Sequence, residues 1–220
     1  MIQTIMLDFG HEETVKGKIS PDGTFREWEF NRMLGGRIYE KLKTLGLDVR
    51  LINPETSYVS LTERAERANK VCKEVGTSNV MFVSIHANAA GNGGWMSARG
   101  WCVFCAKQCS QASKDLATKI ANVAEEAGFK VRKPTAAQNY WQENFTVLTK
   151  TNCKAILTEN LFYDNKEDLA LLRDEETIEK LVNVHVKGIC NYLGISDVPS
   201  YPSSPETSTP STCQCECKCK

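Results

Sequence analysis

The sequence predicts an α/β protein: a single domain with a mostly parallel, twisted sheet flanked by helices on both faces. Five short apolar runs, at 2–7, 49–52, 80–85, 101–104 and 155–157, are bounded by polar residues or Gly. They have the length of strands, and several are apolar enough to be buried on both faces. Between them lie longer stretches whose apolar residues recur every three or four positions, the period of a helix with one buried stripe. Strand and helix therefore alternate, the order from which parallel sheets with crossover helices are built.

The elements follow in order. After the first strand, Phe30, Leu34, Ile38, Leu42 and Leu45 mark the stripe of a first helix, and the run at 49–52 returns as a strand. Leu61, Ala65, Ala68 and Cys72 mark the second helix, and Leu116, Ile120, Val123 and Ala127 the third. A last helix over about 175–193 carries Ile178, Val182, His185, Ile189 and Leu193 on one side. His185, in the middle of an apolar stripe, is expected to be a satisfied core residue.

The chain of 220 residues has 27 Lys+Arg against 27 Asp+Glu and is 41% hydrophobic, an ordinary composition for one globular domain. A domain of this length buries roughly 70% of its unfolded surface, so its core needs no disulfide staples. Zero formal charge provides no footprint for nucleic acid. No run approaches the roughly 20 apolar residues of a membrane span, so no membrane insertion is expected. The first residues show neither the basic segment nor the long apolar segment of a signal peptide, which predicts synthesis in the cytoplasm. The chain is expected to act as a monomer.

Four of the seven Pro fall between 199 and 210 in a run dominated by Ser and Thr, a composition with almost nothing to bury. This sets the expected folded domain at 1–195, followed by a linker and tail over 196–220. The tail ends in Cys213, Cys215, Cys217 and Cys219, whose thiols can bind a soft metal, cross-link or be silent.

Two of the three His follow predicted strands: His11 after Leu7-Asp8-Phe9-Gly10, and His86 after the run at 80–85. Glu159 ends a third strand. Functional crevices of open α/β sheets lie at the carboxyl ends of their strands, so three segments deliver His, His and Glu to one edge. A further carboxylate, Glu27, stands just before the first helix, with Glu29 two residues on. Two His and one Glu with a fourth position for water is a common catalytic zinc shell. Zinc lowers the pKa of its bound water to about 7, and a nearby non-ligand carboxylate can take and return the proton. Glu159 suits that second role. Composition and spacing leave Glu27 and Glu29 as alternatives for the ligand.

Taken together, these pieces resemble the zinc-dependent N-acetylmuramoyl-L-alanine amidases of bacterial autolysins and phage endolysins, over about 2–193. The matching residues are Leu7-Asp8-Phe9-Gly10-His11; Glu27 four residues before Asn31; and Leu61, Arg64, Ala68 and Asn69 leading into Phe82-Val83-Ser84-Ile85-His86-Ala87-Asn88. Val147-Leu148 and Ala155-Ile156-Leu157-Thr158-Glu159 follow, with Phe162 and Asn165. The resemblance implies that His11, Glu27 and His86 bind Zn2+ and that Glu159 is the catalytic acid/base. It implies a peptidoglycan substrate, cut between N-acetylmuramic acid and the L-alanine of the stem peptide, by a bacteriolytic enzyme acting on the cell wall after release. No organic cofactor is implied. The chain departs from the family pattern at Phe9, where Pro is usual, at Glu12-Glu13 in place of Gly-Gly, and at Asn160-Leu161 in place of small residues. The competing readings are a zinc peptidase acting on cross-link peptides and an inactive peptidoglycan-binding module.

Cys102, Cys105 and Cys109 read as structural thiols, because strand alternation places Cys102 and Cys105 on opposite faces. The loops at 91–100, with Trp95 and Met96, and at 132–144, with Tyr140 and Trp141, are candidate walls of a substrate groove. Arg64 and Asn69 are expected to order the edge of the metal site. The compositional break near residue 195 gives a first prediction: a chain ending there melts at an unchanged temperature and keeps its turnover on soluble muropeptides. A markedly lower melting temperature would place part of the tail in the fold.

Overall fold

The computed structural model describes residues 3–91 and 93–195; the expected linker and Cys-rich tail lie outside them. In chain order the elements are β1 (Thr4–Phe9), α1 (Glu27–Thr44), β2 (Asp48–Leu51), α2 (Leu61–Val75), β3 (Val80–Asn88) and β4 (Cys102–Cys105). They continue with α3 (Gln111–Glu126), β5 (Trp141–Gln142), α4 (Thr146–Thr149), β6 (Lys154–Phe162), α5 (Lys166–Leu172) and α6 (Glu175–Leu193).

The strands form one six-stranded sheet in the order β2-β1-β3-β6-β4-β5. β2, β1, β3 and β6 run parallel, whereas β4 is antiparallel to β6 and carries β5 beside it. The mostly parallel α/β sheet is thus present, with a reversed pair at one edge. Because β4 is reversed, its first residues lie level with the carboxyl end of β6. The other edge is β2, four residues long, with Asp48 and Arg50 side by side and Arg50 Nη1 held 3.0 Å from Glu74 on α2.

Strand alternation sorts the buried residues onto two faces. Ile5, Leu7, Val83, Ile85, Val103 and Ile156 pack with the stripes of α1, α3 and α6. Met6, Phe82, Ala155 and Leu157 pack with Ala68 and Cys72 of α2 and Val147 and Leu148 of α4. α3 and α6 touch at Gly188, where a Cβ would stand 2.8 Å from the Cα of Ile120.

Most helix starts carry the expected capping residues. Ser60, Ser110, Asn165 and Asp174 each accept a backbone N–H through the side chain, and α6 stops at Gly194 with φ 73, the left-handed cap that Gly supplies without strain. α1 and the short α4 are exceptions: Phe145 caps α4 with no side-chain bond, and at α1 Arg26 offers none, the Glu27 amide donating instead to Lys18 O at 3.0 Å. The carboxylate in its first turn is engaged elsewhere.

Three elements exceed the sequence expectation. β5, α4 and α5 span two, four and seven residues, too short for a period to register. β3 and β6 also run past their apolar stretches, because they keep pairing as far as Asn88 and Phe162. His86 and Glu159 therefore stand within strands, on paired backbone.

His185 is fully buried, with Nδ1 2.8 Å from Leu181 O and Nε2 2.9 Å from Thr158 Oγ1. The carbonyl requires a proton on Nδ1, so Nε2 accepts from the Thr158 hydroxyl and the ring is neutral. Burial pushes its pKa down to about 4 from 6.5. The unfolded chain then binds a proton that the folded chain refuses, so stability is complete above about pH 6.5 and declines towards pH 4. Between pH 7 and pH 5 the wild type should lose about 2 kcal/mol more than His185→Gln. Denaturant titrations at the two pH values measure this, and equal losses would refute it.

Candidate metal centre

The site begins where β1 ends. Gly10 N donates to Ile85 O at 2.9 Å, and the chain then turns through His11 at φ 60, a left-handed conformation that costs a non-Gly residue energy unless its surroundings enforce it. Here the carbonyls of three successive residues are held. Asn53 Nδ2 and Arg64 Nη1 donate to Phe9 O at 2.7 and 3.0 Å, Asn31 Nδ2 to Gly10 O at 3.0 Å, and Arg32 Nη1 to His11 O at 2.9 Å. The Arg64 charge is met by Asp8 Oδ1 at 3.7 Å and Glu12 Oε2 at 3.5 Å. Glu12, at a departure from the family pattern, thus has a structural partner. Phe9, at another, packs under α1, where a Cβ on Gly35 would lie 2.2 Å from its ring.

Glu27 enters from the first turn of α1 and His86 from β3. Glu27 is 1% exposed, and its Oε1 lies 3.3 Å from His11 Nε2 and 3.1 Å from His86 Nδ1. Asn31 Nδ2 approaches the same oxygen at 3.5 Å and Ala87 N at 3.4 Å. The other oxygen, Oε2, is buried without a hydrogen bond, its nearest cation being Lys18 Nζ at 3.9 Å. Glu29 pairs only with Arg26 at 4.0 Å and is exposed. Of the two carboxylates, Glu27 is the one that lies against both imidazoles.

Donor atoms of His11, Glu27 and His86 all lie within 4.8 Å of one another, the one such His/Cys/Asp/Glu group among the described residues. Ligands at 2.0–2.2 Å around a tetrahedral ion stand roughly 3.3–3.5 Å apart, close to the spacing of the two imidazole nitrogens from Glu27. The orphaned Glu27 oxygen and the donor set both fit a metal ion. The protonation states suit it too. Burial pushes His86 below its ordinary value, keeping it neutral, with Glu27 opposing. Burial raises Glu27, but the hydrogen bonds from His11 and His86 outweigh it and hold the carboxylate ionised.

Glu159 reaches the same place through strand register. β3 and β6 set His86 opposite Glu159, and β4 sets Cys102 opposite Glu159, so the three side chains share one face. Glu159 Oε2 is buried with no hydrogen-bond partner. Burial raises its pKa well above the ordinary carboxyl value, the nearby Glu27 charge adds to this, and Lys18 opposes it. Directly after it the register shifts, with Leu161 at φ 66. Asn160 fixes this bulge by donating from Nδ2 to His86 O at 2.9 Å and accepting at Oδ1 from Trp101 Nε1 at 2.9 Å. The departure at Asn160-Leu161 thus braces both strands of the site.

All four predicted site residues, His11, Glu27, His86 and Glu159, meet at this edge. Arg64 orders it as expected. Asn69 does not: it bonds Lys150 O at 2.7 Å and Asn152 N at 2.8 Å, at the opposite end of β6. Cys102 and Cys105 fall on opposite faces, the latter donating to Ser113 O at 3.5 Å. Lys18 and Tyr163 went unrecognised in the sequence. Burial raises the Tyr163 phenol, reinforced by Glu27, Glu159 and Asp164; nothing in its sequence neighbours signals that proximity. Trp95 and Met96 stay exposed on a loop tied down by Asp164, which accepts from Ala90 N and Gly91 N at 2.7 and 2.9 Å.

The sheet, its crossover helices and a His–Glu–His cluster at the strand ends define an α/β protein with a metal-binding type of site. The sequence profile of the N-acetylmuramoyl-L-alanine amidases matches residues 5–191, and the chain belongs to that family. It is 29% identical over 165 residues to an endolysin of Bacillus phage SPP1, an alignment covering 72% of this chain and 56% of the endolysin. The chain thus spans little more than half of that relative. It is 26% identical over 191 residues to the uncharacterized protein YqiI of Bacillus subtilis, covering 86% and 84% of the two chains. Among solved structures, the N-acetylmuramoyl-L-alanine amidase of Clostridium difficile 630 superposes with a TM-score of 0.77 at 26% identity, over 88% of this chain and 97% of that one.

Gly10 is required by close approach: a Cβ there would lie 2.3 Å from His86 Cε1 and 2.4 Å from its Nδ1. Gly10→Ala must therefore turn His86 away from Glu27. Displacing that ring from the cluster should weaken metal binding by at least about 10-fold, the scale set by lost outer-shell support, with unchanged far-ultraviolet circular dichroism. Wild-type affinity in a chelator competition would contradict this packing.

Proposed function

We propose that this chain is a zinc-dependent peptidoglycan hydrolase that cleaves the amide between N-acetylmuramic acid and the L-alanine of the stem peptide. The observation that carries the reading is Glu159, a carboxyl with a raised pKa set beside the His11, Glu27 and His86 cluster by the pairing of β3 with β6. A binding module has no use for such a group, because burying an unpartnered carboxyl is costly.

In this reading His11 Nε2, His86 Nδ1 and Glu27 hold Zn2+. When bound, the ion supplies a Lewis acid for the scissile carbonyl and a water acidic enough to attack it. Glu159, ionised at the start of the step, takes the proton of the attacking water, and its buried setting lets it hold that proton until the alanine nitrogen leaves with it. Glu27 stays ionised between the two imidazoles, and the Lys18 ammonium offsets part of the negative charge that Glu27 and Glu159 concentrate here. All of these residues come from one chain, so a monomer suffices. Among the described residues no helix is long and apolar enough to cross a membrane, and the site of action in this reading is the cell wall. The unit responsible is 1–195.

End-group analysis of digested cell walls tests the reaction. New amino termini should be L-alanine, with no new reducing sugar ends, and chelation should abolish their release until zinc is restored. Free amines appearing elsewhere in the peptide would make the protein a peptidase. Glu159→Gln keeps the shape of the side chain without its proton-accepting charge. It should retain zinc and melting temperature while losing at least about 100-fold in rate, the lower end of a general acid/base contribution. Half the wild-type rate in that variant would move the proton role to another residue.

A further inference from the structure

The face of the sheet that bears His86 and Glu159 continues past them. One row of residues further along, the bulge in β6 brings Phe162 opposite Asn88. Arg132 lies over this row: its guanidinium carbon is 5.1 Å from the centre of the Phe162 ring. Its backbone is clamped on both sides, Arg132 N donating to Trp101 O at 2.8 Å and Trp141 Nε1 donating to Arg132 O at 2.9 Å. Trp101 directly precedes β4, whose first residue pairs with Glu159. The side chain thus starts beyond β4 and reaches back across it to β6. The Cys102 thiol, which burial pushes up to about 12, feels both neighbours, Arg132 lowering it and Glu159 raising it.

This cation is half-buried, and among the described residues it has no carboxylate partner. Its neighbours do: Arg99 pairs with Glu167 and, at 3.7 Å, with Asp168, and Lys133 pairs with Glu125 at 2.5 Å. Among the described residues its one side-chain hydrogen bond to a carbonyl is a long one, 3.5 Å to Arg99 O, and its other polar neighbour is the Cys102 thiol. A guanidinium stacked on an aromatic ring is pre-oriented, and the N–H groups left beyond a weak thiol and one long carbonyl bond match a carboxylate.

We infer that Arg132 is a specificity-determining residue that receives the free carboxylate on the second residue of the stem peptide, the one following the L-alanine whose nitrogen is released. The inference rests on the amidase reading. Two residues along a strand span about 6.6 Å. From the alanine nitrogen through one residue to a carboxylate on the next is about 6 Å of chain. With the scissile amide at Glu159 and the stem peptide running along the sheet towards Asn88, the carboxylate comes within reach of the Phe162 row. A substrate whose second residue carries a carboxamide has no charge to offer there and is bound more weakly.

The test uses the full chain and two soluble muropeptides that differ only in a carboxylate or a carboxamide at that position. The wild type should prefer the carboxylate by at least about 10-fold in kcat/KM, the scale of a charge-assisted hydrogen bond, chiefly through KM. In Arg132→Gln, and in Arg132→Met, which keeps an apolar stem over Phe162, the preference should collapse to about twofold or less, with turnover of the carboxamide substrate near wild type. A ratio taken within one preparation is insensitive to a general loss of folded protein. Both substrates cleaved equally by the wild type, or an undiminished preference in both variants, would overturn the role of Arg132 and leave the amidase reading standing. A wild type that releases no alanine amine from either would overturn both.

Discussion

A carboxylate buried between two imidazoles is the interaction around which this chain is arranged. Glu27 has one oxygen within 3.3 Å of His11 and 3.1 Å of His86, and the other has no hydrogen bond. Such a group is tolerated in the interior only when charge or hydrogen bonds compensate its desolvation. The three residues come from a loop after β1, the first turn of α1 and the end of β3. Their meeting therefore depends on the parallel pairing of β1 with β3 and on α1 packing close against both. The glycines at 10 and 35 permit that closeness, since a side chain at either would overlap His86 or Phe9.

The polar groups around the cluster form a continuous brace. Asn31, Arg32, Asn53 and Arg64 each hold a carbonyl of the segment 9–11. His11 keeps its unfavourable backbone angle because several elements fix it at once. On the other side Asn160 joins β3 to the Trp101 segment. Energy stored in two left-handed residues, His11 and Leu161, is thus offset by buried hydrogen bonds formed at the same edge, and side-chain positions there are set by backbone that cannot relax. Such rigidity suits a centre whose ligands must arrive at fixed distances.

Much of this was legible in the sequence, for physical reasons. The periods of the four long helices and the apolar runs of the main strands survive because each buries a broad face, and burial leaves a pattern. The candidate residues were legible because His11, His86 and Glu159 stand directly beside those runs, where the sheet must present them at its carboxyl edge. Chemistry alone did not separate Glu27 from Glu29; the fold does, by turning one inward and leaving the other to Arg26. The reversal of β4 left no trace, since a buried strand has the same composition in either direction. Asn69 departs from expectation because a residue on a helix can serve either end of the sheet, and its spacing to Arg64 does not say which. Lys18, Tyr163 and Arg132 act through neighbours remote in sequence, so no local pattern marks them.

The margins of the sheet have a consequence of their own. An unpaired strand edge is a template on which a second chain can extend the sheet, and long, flat, apolar edges invite aggregation. Here one margin is β2, short and bearing an acidic and a basic side chain whose charges are engaged within the molecule. The other is β5, two residues long. Among the described residues, neither offers a neighbouring copy a run of free backbone groups long enough to lock onto. Copies crowded together can therefore collide repeatedly without stitching into a shared sheet.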